Sequence, residues 1–158
     1  MLQLNVPFIK GSEIEHAATE TLRRYAKATG TLPRPPIPID GIIESLFGLT
    51  LEVEDLKARL GVGDVLGATW FDEQIVRVDT SLEAEGKEGR FAFTLAHEGG
   101  HWTLHRPLWE AEKVTRPLFA GAPGKDPPPA IVCRASQAKA RAEVQADQYA
   151  AALLMPAS

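Results

Sequence analysis

With a single cysteine, Cys133, the 158-residue chain cannot form an internal disulfide, and an unpaired thiol fits a reducing compartment, the cytoplasm by default. Nowhere do 18 apolar residues follow one another, and the first ten residues lack both a basic segment and a long apolar run, so neither a membrane span nor a secretory leader is expected. Positive charge is short too: 17 Lys and Arg stand against 21 Asp and Glu, scattered except for the Arg23-Arg24 pair. Without a basic stripe or a helix-turn-helix pattern, direct nucleic-acid binding is not expected. A chain that is 44% hydrophobic and 24% charged suits one globular domain over residues 1–158 with a real core.

Against this background His97-Glu98-Gly99-Gly100-His101 stands out, because it has the form H-E-x-x-H. On a helix, positions four apart differ by about 40° in azimuth and about 6 Å along the axis, so two imidazoles converge on one ion. Glu98 lies about 100° further round, where its carboxylate reaches a reacting water rather than the ion. The spacing therefore makes His97 and His101 metal ligands and Glu98 a general base. Catalytic zinc commonly takes two histidines and one glutamate. Glu143-Val-Gln-Ala-Asp147 offers an acidic pair at helical spacing, so Glu143 is the expected third ligand. Asp147, one turn on, can accept the free ring N–H of a ligand histidine and hold its tautomer. The plainer alternative puts both acids on a solvated helix face beside Lys139 and Arg141. One zinc per chain is expected, and manganese or iron could occupy the same donors.

His105 continues the series but lies about 12 Å along the axis from His97, too far to share one ion, and is expected to cap or hydrogen-bond the helix C-terminus. His16 is expected in solvent. Cys133 could in principle coordinate zinc as an inhibitory thiolate, since sulfur competes well with water, but this is not the expected role. Tyr149 lies about 240° round its helix from Glu143, which turns it toward the core. Trp70, Trp102 and Trp109 are expected in the core or in a pocket wall.

Along the chain, Ser12-x-x-Glu15 reads as a capping box opening a helix within 12–30 that Gly30 ends. Pro33, Pro35, Pro36 and Pro38 make 31–40 an extended strap. A short helix over 39–47 leads to a strand over 49–54, and alternation over 68–71 and 74–78 predicts a hairpin, whose edge could take up an extended peptide. Residues 89–105 read as one buried helix in which Gly99 and Gly100 each cost about 1 kcal/mol against alanine, so something must approach that backbone closely. The proline- and glycine-rich stretch 106–135 is expected to be chiefly irregular and surface-lying, as a lid or an insertion. Ser136 is the expected N-cap of a last helix running to about Met155.

Taken together, Pro35-Pro36-Ile37-Pro38, the run from Arg90 through the H-E-x-x-H motif to His105, and the run from Glu143 to Pro156 resemble the ImmA/IrrE family of zinc metallo-endopeptidases. The likeness extends over roughly residues 15–156. It implies an α+β, gluzincin-like minimal protease domain, with a small twisted sheet against the active-site helix and a C-terminal ligand helix. It implies His97, His101 and Glu143 as zinc ligands and Glu98 as the catalytic acid/base. It further implies a cytoplasmic, bacterial or phage-related protease that cuts a helix-turn-helix transcriptional repressor. A non-proteolytic module that sequesters such a repressor on the same scaffold is the alternative. Three features depart from the family: glycine at 99 where a larger apolar residue is usual, the long stretch between His101 and Glu143, and an end just past Pro156, which suggests a minimal domain or one lacking a regulatory tail.

Overall fold

A computed structural model of the chain describes residues 5–112, 127–135 and 140–156. The fold is α+β, with the long helices packed on one face of a four-stranded mixed sheet. Helix α1 (Gly11–Thr29) buries Ile14, Ala18, Thr21 and Leu22, the stripe that three- and four-residue spacing creates, and Gly30 ends it in the left-handed conformation at φ 83°. The expected capping box does not form. Lys10 occupies the N-cap, its carbonyl accepting from the N–H groups of Glu13 and Ile14, so Ser12 already lies inside the helix. After the proline strap, α2 (Ile39–Gly41) runs into a π turn (Ile42–Leu46), burying Ile39, Ile42 and Ile43.

The strands are β1 (Thr50–Glu54), β2 (Val65–Trp70), β3 (Ile75–Asp79) and β4 (Ile131–Arg134), in spatial order β1-β3-β2-β4. β2 and β3 form the expected hairpin, β1 runs parallel to β3, and β4 pairs antiparallel with β2. Short helix α3 (Leu56–Leu60) follows β1; Asp55 caps it by accepting the Ala58 N–H. The two-residue alternation of a strand sorts side chains between faces. Ala68, Trp70 and Val132 join Leu56 and Val65 in a small cluster on one side, while Val76, Val78 and Ile131 belong to the main core with α1, α2 and the two long helices described next.

The buried helix expected over 89–105 is α4 (Glu88–Gly100), and it continues through a π turn (His101–His105) into α5 (Arg106–Glu112). In a plain α-helix Pro107 would press its ring on the carbonyl four residues back. The wider turn ahead of it, in which the Arg106 N–H reaches the His101 carbonyl five residues back, is one way a helix passes such a residue. Helix α6 (Arg141–Leu154) packs against both α4 and α1. No helix among the described residues is long and apolar enough to cross a membrane.

Within 106–135, expected to be chiefly irregular, α5 opens the stretch and β4 closes it as an added strand. Single-sequence periodicity does not announce β4, whose four residues Ile-Val-Cys-Arg are too few to alternate and owe their pairing to the exposed edge of β2. The intervening residues 113–126, on which a lid would depend, lie outside the described residues. The last helix begins at Arg141, with Ala140 at the N-cap position in an extended backbone at φ −67° and ψ 161°, and Ser136, the expected N-cap, lies outside the described residues.

Candidate metal centre

Helix α4 lies on the sheet face from which Gly67 projects, and the absence of a side chain there decides the depth of the contact. A Cβ on Gly67 would fall 2.9 Å from the Thr94 methyl and 3.6 Å from Cγ of Glu98, so β2 reaches the base of the H-E-x-x-H turn because residue 67 is glycine. On the opposite side of α4, Gly100 does the same for α6. A Cβ there would meet the Ala146 Cα at 3.1 Å and its carbonyl oxygen at 3.2 Å. Of the close approach expected at the adjacent glycines, that at Gly100 is made by α6, the helix that carries Glu143 and Asp147, whereas Gly99 faces the Ile43 and Phe47 side chains at ordinary contact distance.

The approach brings three donors to one point. His97, His101 and Glu143 are all buried, and one ligand atom from each lies within 4.8 Å of the other two, a group that could hold a metal ion. His97 Nε2 is 2.7 Å from Glu143 Oε2, His101 Nε2 is 3.1 Å from His97 Nε2, and His101 Nε2 is 3.4 Å from Glu143 Oε1. Ligands about 2.05 Å from a tetrahedral zinc would be roughly 3.3 Å from one another. The observed triangle therefore matches a coordination shell after movements of a few tenths of an ångström. The rings of His97 and His101 stand nearly perpendicular, at 85° with centroids 4.7 Å apart. Asp147 Oδ1 lies 2.7 Å from His97 Nδ1, the nitrogen facing away from the group.

Electrostatics distinguish the members. Burial opposes charge on His97, but hydrogen bonds to Asp147 and Glu143, with Cys133 and Glu98 close by, push it up to about 12. Burial takes His101 down to about 4, with the charge on His97 adding to the effect against the pull of Glu143. Glu143 is also penalised by burial, yet the two imidazoles beside it hold its carboxyl far below the ordinary carboxylate range. Without metal, the centre is a cationic His97 and an anionic Glu143 beside a neutral His101.

Glu98 is the outlier. It is fully buried on α4, and neither carboxylate oxygen has a hydrogen-bond partner. The Thr69 hydroxyl on β2 faces it without making a bond. Burial, with the Glu143 charge adding to it, raises Glu98 to about 8. A buried acid with no partner is costly, and such groups are rare in an inert core. Next to a divalent ion its ionised form would be favoured instead.

Other residues fall as follows. His16 is exposed. Tyr149 is buried, its hydroxyl 2.8 Å from that of Thr21 and accepting from Thr103 at 3.2 Å, away from the metal group. Trp70 and Trp102 are buried, and the Trp70 indole donates to the Pro127 carbonyl. Cys133 sits on β4 beside His97, outside the group of three, and burial raises its thiol. A cleft of about 170 Å³ opens on His97, with Phe93, Leu66, Cys133, Arg90 and Asp147 among its walls.

His105 requires correction. It caps no helix C-terminus but lies fully buried inside a helix that continues, with Nδ1 2.8 Å from His101 Nδ1 and Nε2 2.8 Å from Gln145 Oε1. Burial pushes its pKa down, so no cation sits at this point. Axial distance excluded it as a ligand of the same ion, and the helix does continue past it. What the spacing argument missed was contact with the neighbouring histidine rather than with the ion. Gln145, two residues from Glu143 on α6, went unnoticed because no motif marks it. Compared with protein-family models, with curated proteins and with solved structures, the chain matches none.

Proposed function

We propose that this protein is a zinc-dependent endopeptidase that hydrolyses a peptide bond in a partner protein, a helix-turn-helix transcriptional repressor, in the manner of the ImmA/IrrE enzymes that its motifs resemble, and that it acts in the cytoplasm. The observation that carries this reading is the convergence of two imidazoles and a buried carboxylate beside a second carboxylate, Glu98, that has no bonding partner. Two nitrogens and one carboxylate oxygen leave one position of a tetrahedral ion open, the pattern of catalytic rather than structural zinc.

His97, His101 and Glu143 would hold the metal. When bound, a divalent ion supplies Lewis acidity, polarising a carbonyl and acidifying water. Asp147 accepts the His97 Nδ1–H and so aims the other nitrogen of that ring inward. Glu98, in carboxylate form, takes a proton from the attacking water and returns it to the departing amine nitrogen, a role typically worth about 10² to 10⁴ in rate. The cleft beside His97, with Leu66 and Phe93 in its wall, gives a substrate side chain an apolar seat next to the reacting centre.

Incubating the purified protein, with zinc or with a chelator, with the repressor encoded nearest its gene tests this. Zinc-dependent fragments detected by mass spectrometry, lost in Glu98→Gln while that variant still binds zinc, are the expected result. Cleavage persisting in Glu98→Gln would remove the mechanism. Tight binding without cleavage by the wild type would make the protein a sequestering module instead.

A further inference from the structure

We propose that the backbone carbonyl of Pro7 sets the tautomer of His101, acting through Gln145 and His105, so that His101 presents a bare Nε2 to the metal group; His105 and Gln145 are positioning residues. The inference rests on reading His97, His101 and Glu143 as a metal site and is independent of whether that site cleaves peptides.

The argument runs along one chain of hydrogen bonds whose direction is decided at its far end. A carbonyl oxygen can only accept, so the Gln145 amide must turn its nitrogen toward Pro7, which it meets at 2.8 Å. That leaves Gln145 Oε1 facing His105 Nε2 at 2.8 Å, and an amide oxygen can only accept. His105 must therefore carry its proton on Nε2. The ring nitrogens of His105 face His101 Nδ1 and the neutral Gln145 amide, with no carboxylate bonded to either, so the ring carries one proton and Nδ1 is bare. It faces His101 Nδ1 at 2.8 Å, where two bare nitrogens would leave both lone pairs unsatisfied. The proton on that contact thus belongs to His101 Nδ1, and His101 Nε2 is left as a lone pair.

The near end of the chain agrees independently. His97 has carboxylates against both nitrogens, Asp147 at 2.7 Å from Nδ1 and Glu143 at 2.7 Å from Nε2, so both of its nitrogens are donors. His101 Nε2 lies 3.1 Å from His97 Nε2, a contact that is attractive only if His101 is the acceptor. The His97 Nε2–H points chiefly at Glu143 Oε2, and the lone pair that His101 Nε2 turns toward it is the one a metal would take. Without the relay a buried neutral His101 could equally place its proton on Nε2, and that form cannot bind a metal through the atom facing the site. Val6 and Pro7 are held where the relay needs them, since Val6 is buried and the Arg141 guanidinium donates to its carbonyl at 3.2 Å.

The test reads ring nitrogens directly. Long-range proton–nitrogen NMR of metal-free, ¹⁵N-labelled full-length protein should show His101 Nε2 and His105 Nδ1 as unprotonated nitrogens and His101 Nδ1 as protonated. Zinc affinity, measured by chelator competition, should fall about 10- to 100-fold in His105→Leu. It should fall distinctly less in His105→Gln, whose amide can accept from His101 and donate to Gln145. A role confined to packing predicts the opposite order, because leucine suits a dry site better than glutamine. A proton found on His101 Nε2 in the metal-free wild type would overturn the proposal whether or not any variant folds, as would wild-type zinc affinity in His105→Leu. Absence of peptide cleavage alongside the expected tautomers and the expected order of affinities would remove the peptidase reading and leave this one standing.

Discussion

Gly99 and Gly100 are adjacent in one helix, and the structure assigns them opposite responses to the same substitution. Alanine at either position removes a helix-interior glycine, which is worth about 1 kcal/mol. At position 99 the new methyl would sit 3.4 Å from Ile43 Cδ1, 3.5 Å from Phe47 Cε2 and 3.9 Å from Tyr149 Cε1, all side-chain atoms at or near ordinary contact. Burying that methyl adds about 0.8 kcal/mol in favour of folding. At position 100 it would meet Ala146 Cα at 3.1 Å, the Ala146 carbonyl oxygen at 3.2 Å and Tyr149 Cδ1 at 3.2 Å. Two of those three atoms are backbone, so relief requires α6 to move, and overpacking of this kind costs about 1–3 kcal/mol. Gly99→Ala is therefore expected to stabilise the protein by about 1–2 kcal/mol. Gly100→Ala should be neutral or destabilising, with a gap of about 2–4 kcal/mol between the two variants in which helix propensity cancels. Urea unfolding of both variants in chelator, at one pH and with equal m-values, measures the gap. Zinc affinity supplies a second reading. Glu143 lies three residues before Ala146 on α6, so Gly100→Ala should weaken zinc binding and Gly99→Ala should not. Equal stabilisation by the two alanines, with zinc affinity intact in both, would refute the claim that the missing side chain at 100 seats the ligand helix.

Further outcomes follow from the same geometry. Glu98 has its carboxyl raised from an ordinary 4.5 to about 8, so in metal-free protein the folded state holds a proton that the unfolded chain releases as pH rises through 4.5. Wild type should therefore lose stability relative to Glu98→Gln between about pH 4.5 and 8, and melting temperatures across that range check the sign. Zinc binding near pH 7 should release at least one proton per ion, because His97 is cationic beforehand and must give up its Nε2 proton; titration in a weakly buffered indicator solution counts it. Glu143→Ala should abolish tight zinc binding and, by leaving cationic His97 buried with one partner fewer, destabilise the metal-free protein by roughly 3 kcal/mol in denaturant titration. Gly67→Ala, which pushes on Thr94 and Glu98, should reduce peptide cleavage more than zinc affinity, because both ligand histidines lie away from that contact.

The chain's own pattern determined the local features of this protein. Four-residue spacing set His97 and His101 on one side of a helix, Glu143 and Asp147 were legible as a pair one turn apart, and two-residue alternation marked the β2–β3 hairpin. These are consequences of 3.6- and 2-residue periods, which need no partner to be read. Only tertiary structure decided the rest. It brought α6 onto α4 at Gly100, 46 residues separating His97 from Glu143, and it laid β4 against the open edge of β2. It also turned His105 from a presumed helix cap into a buried neighbour of His101, through Gln145 and the carbonyl of Pro7. A hydrogen-bond chain that joins residue 7 to residue 101 has no period, and its direction comes from which atoms the fold leaves facing one another.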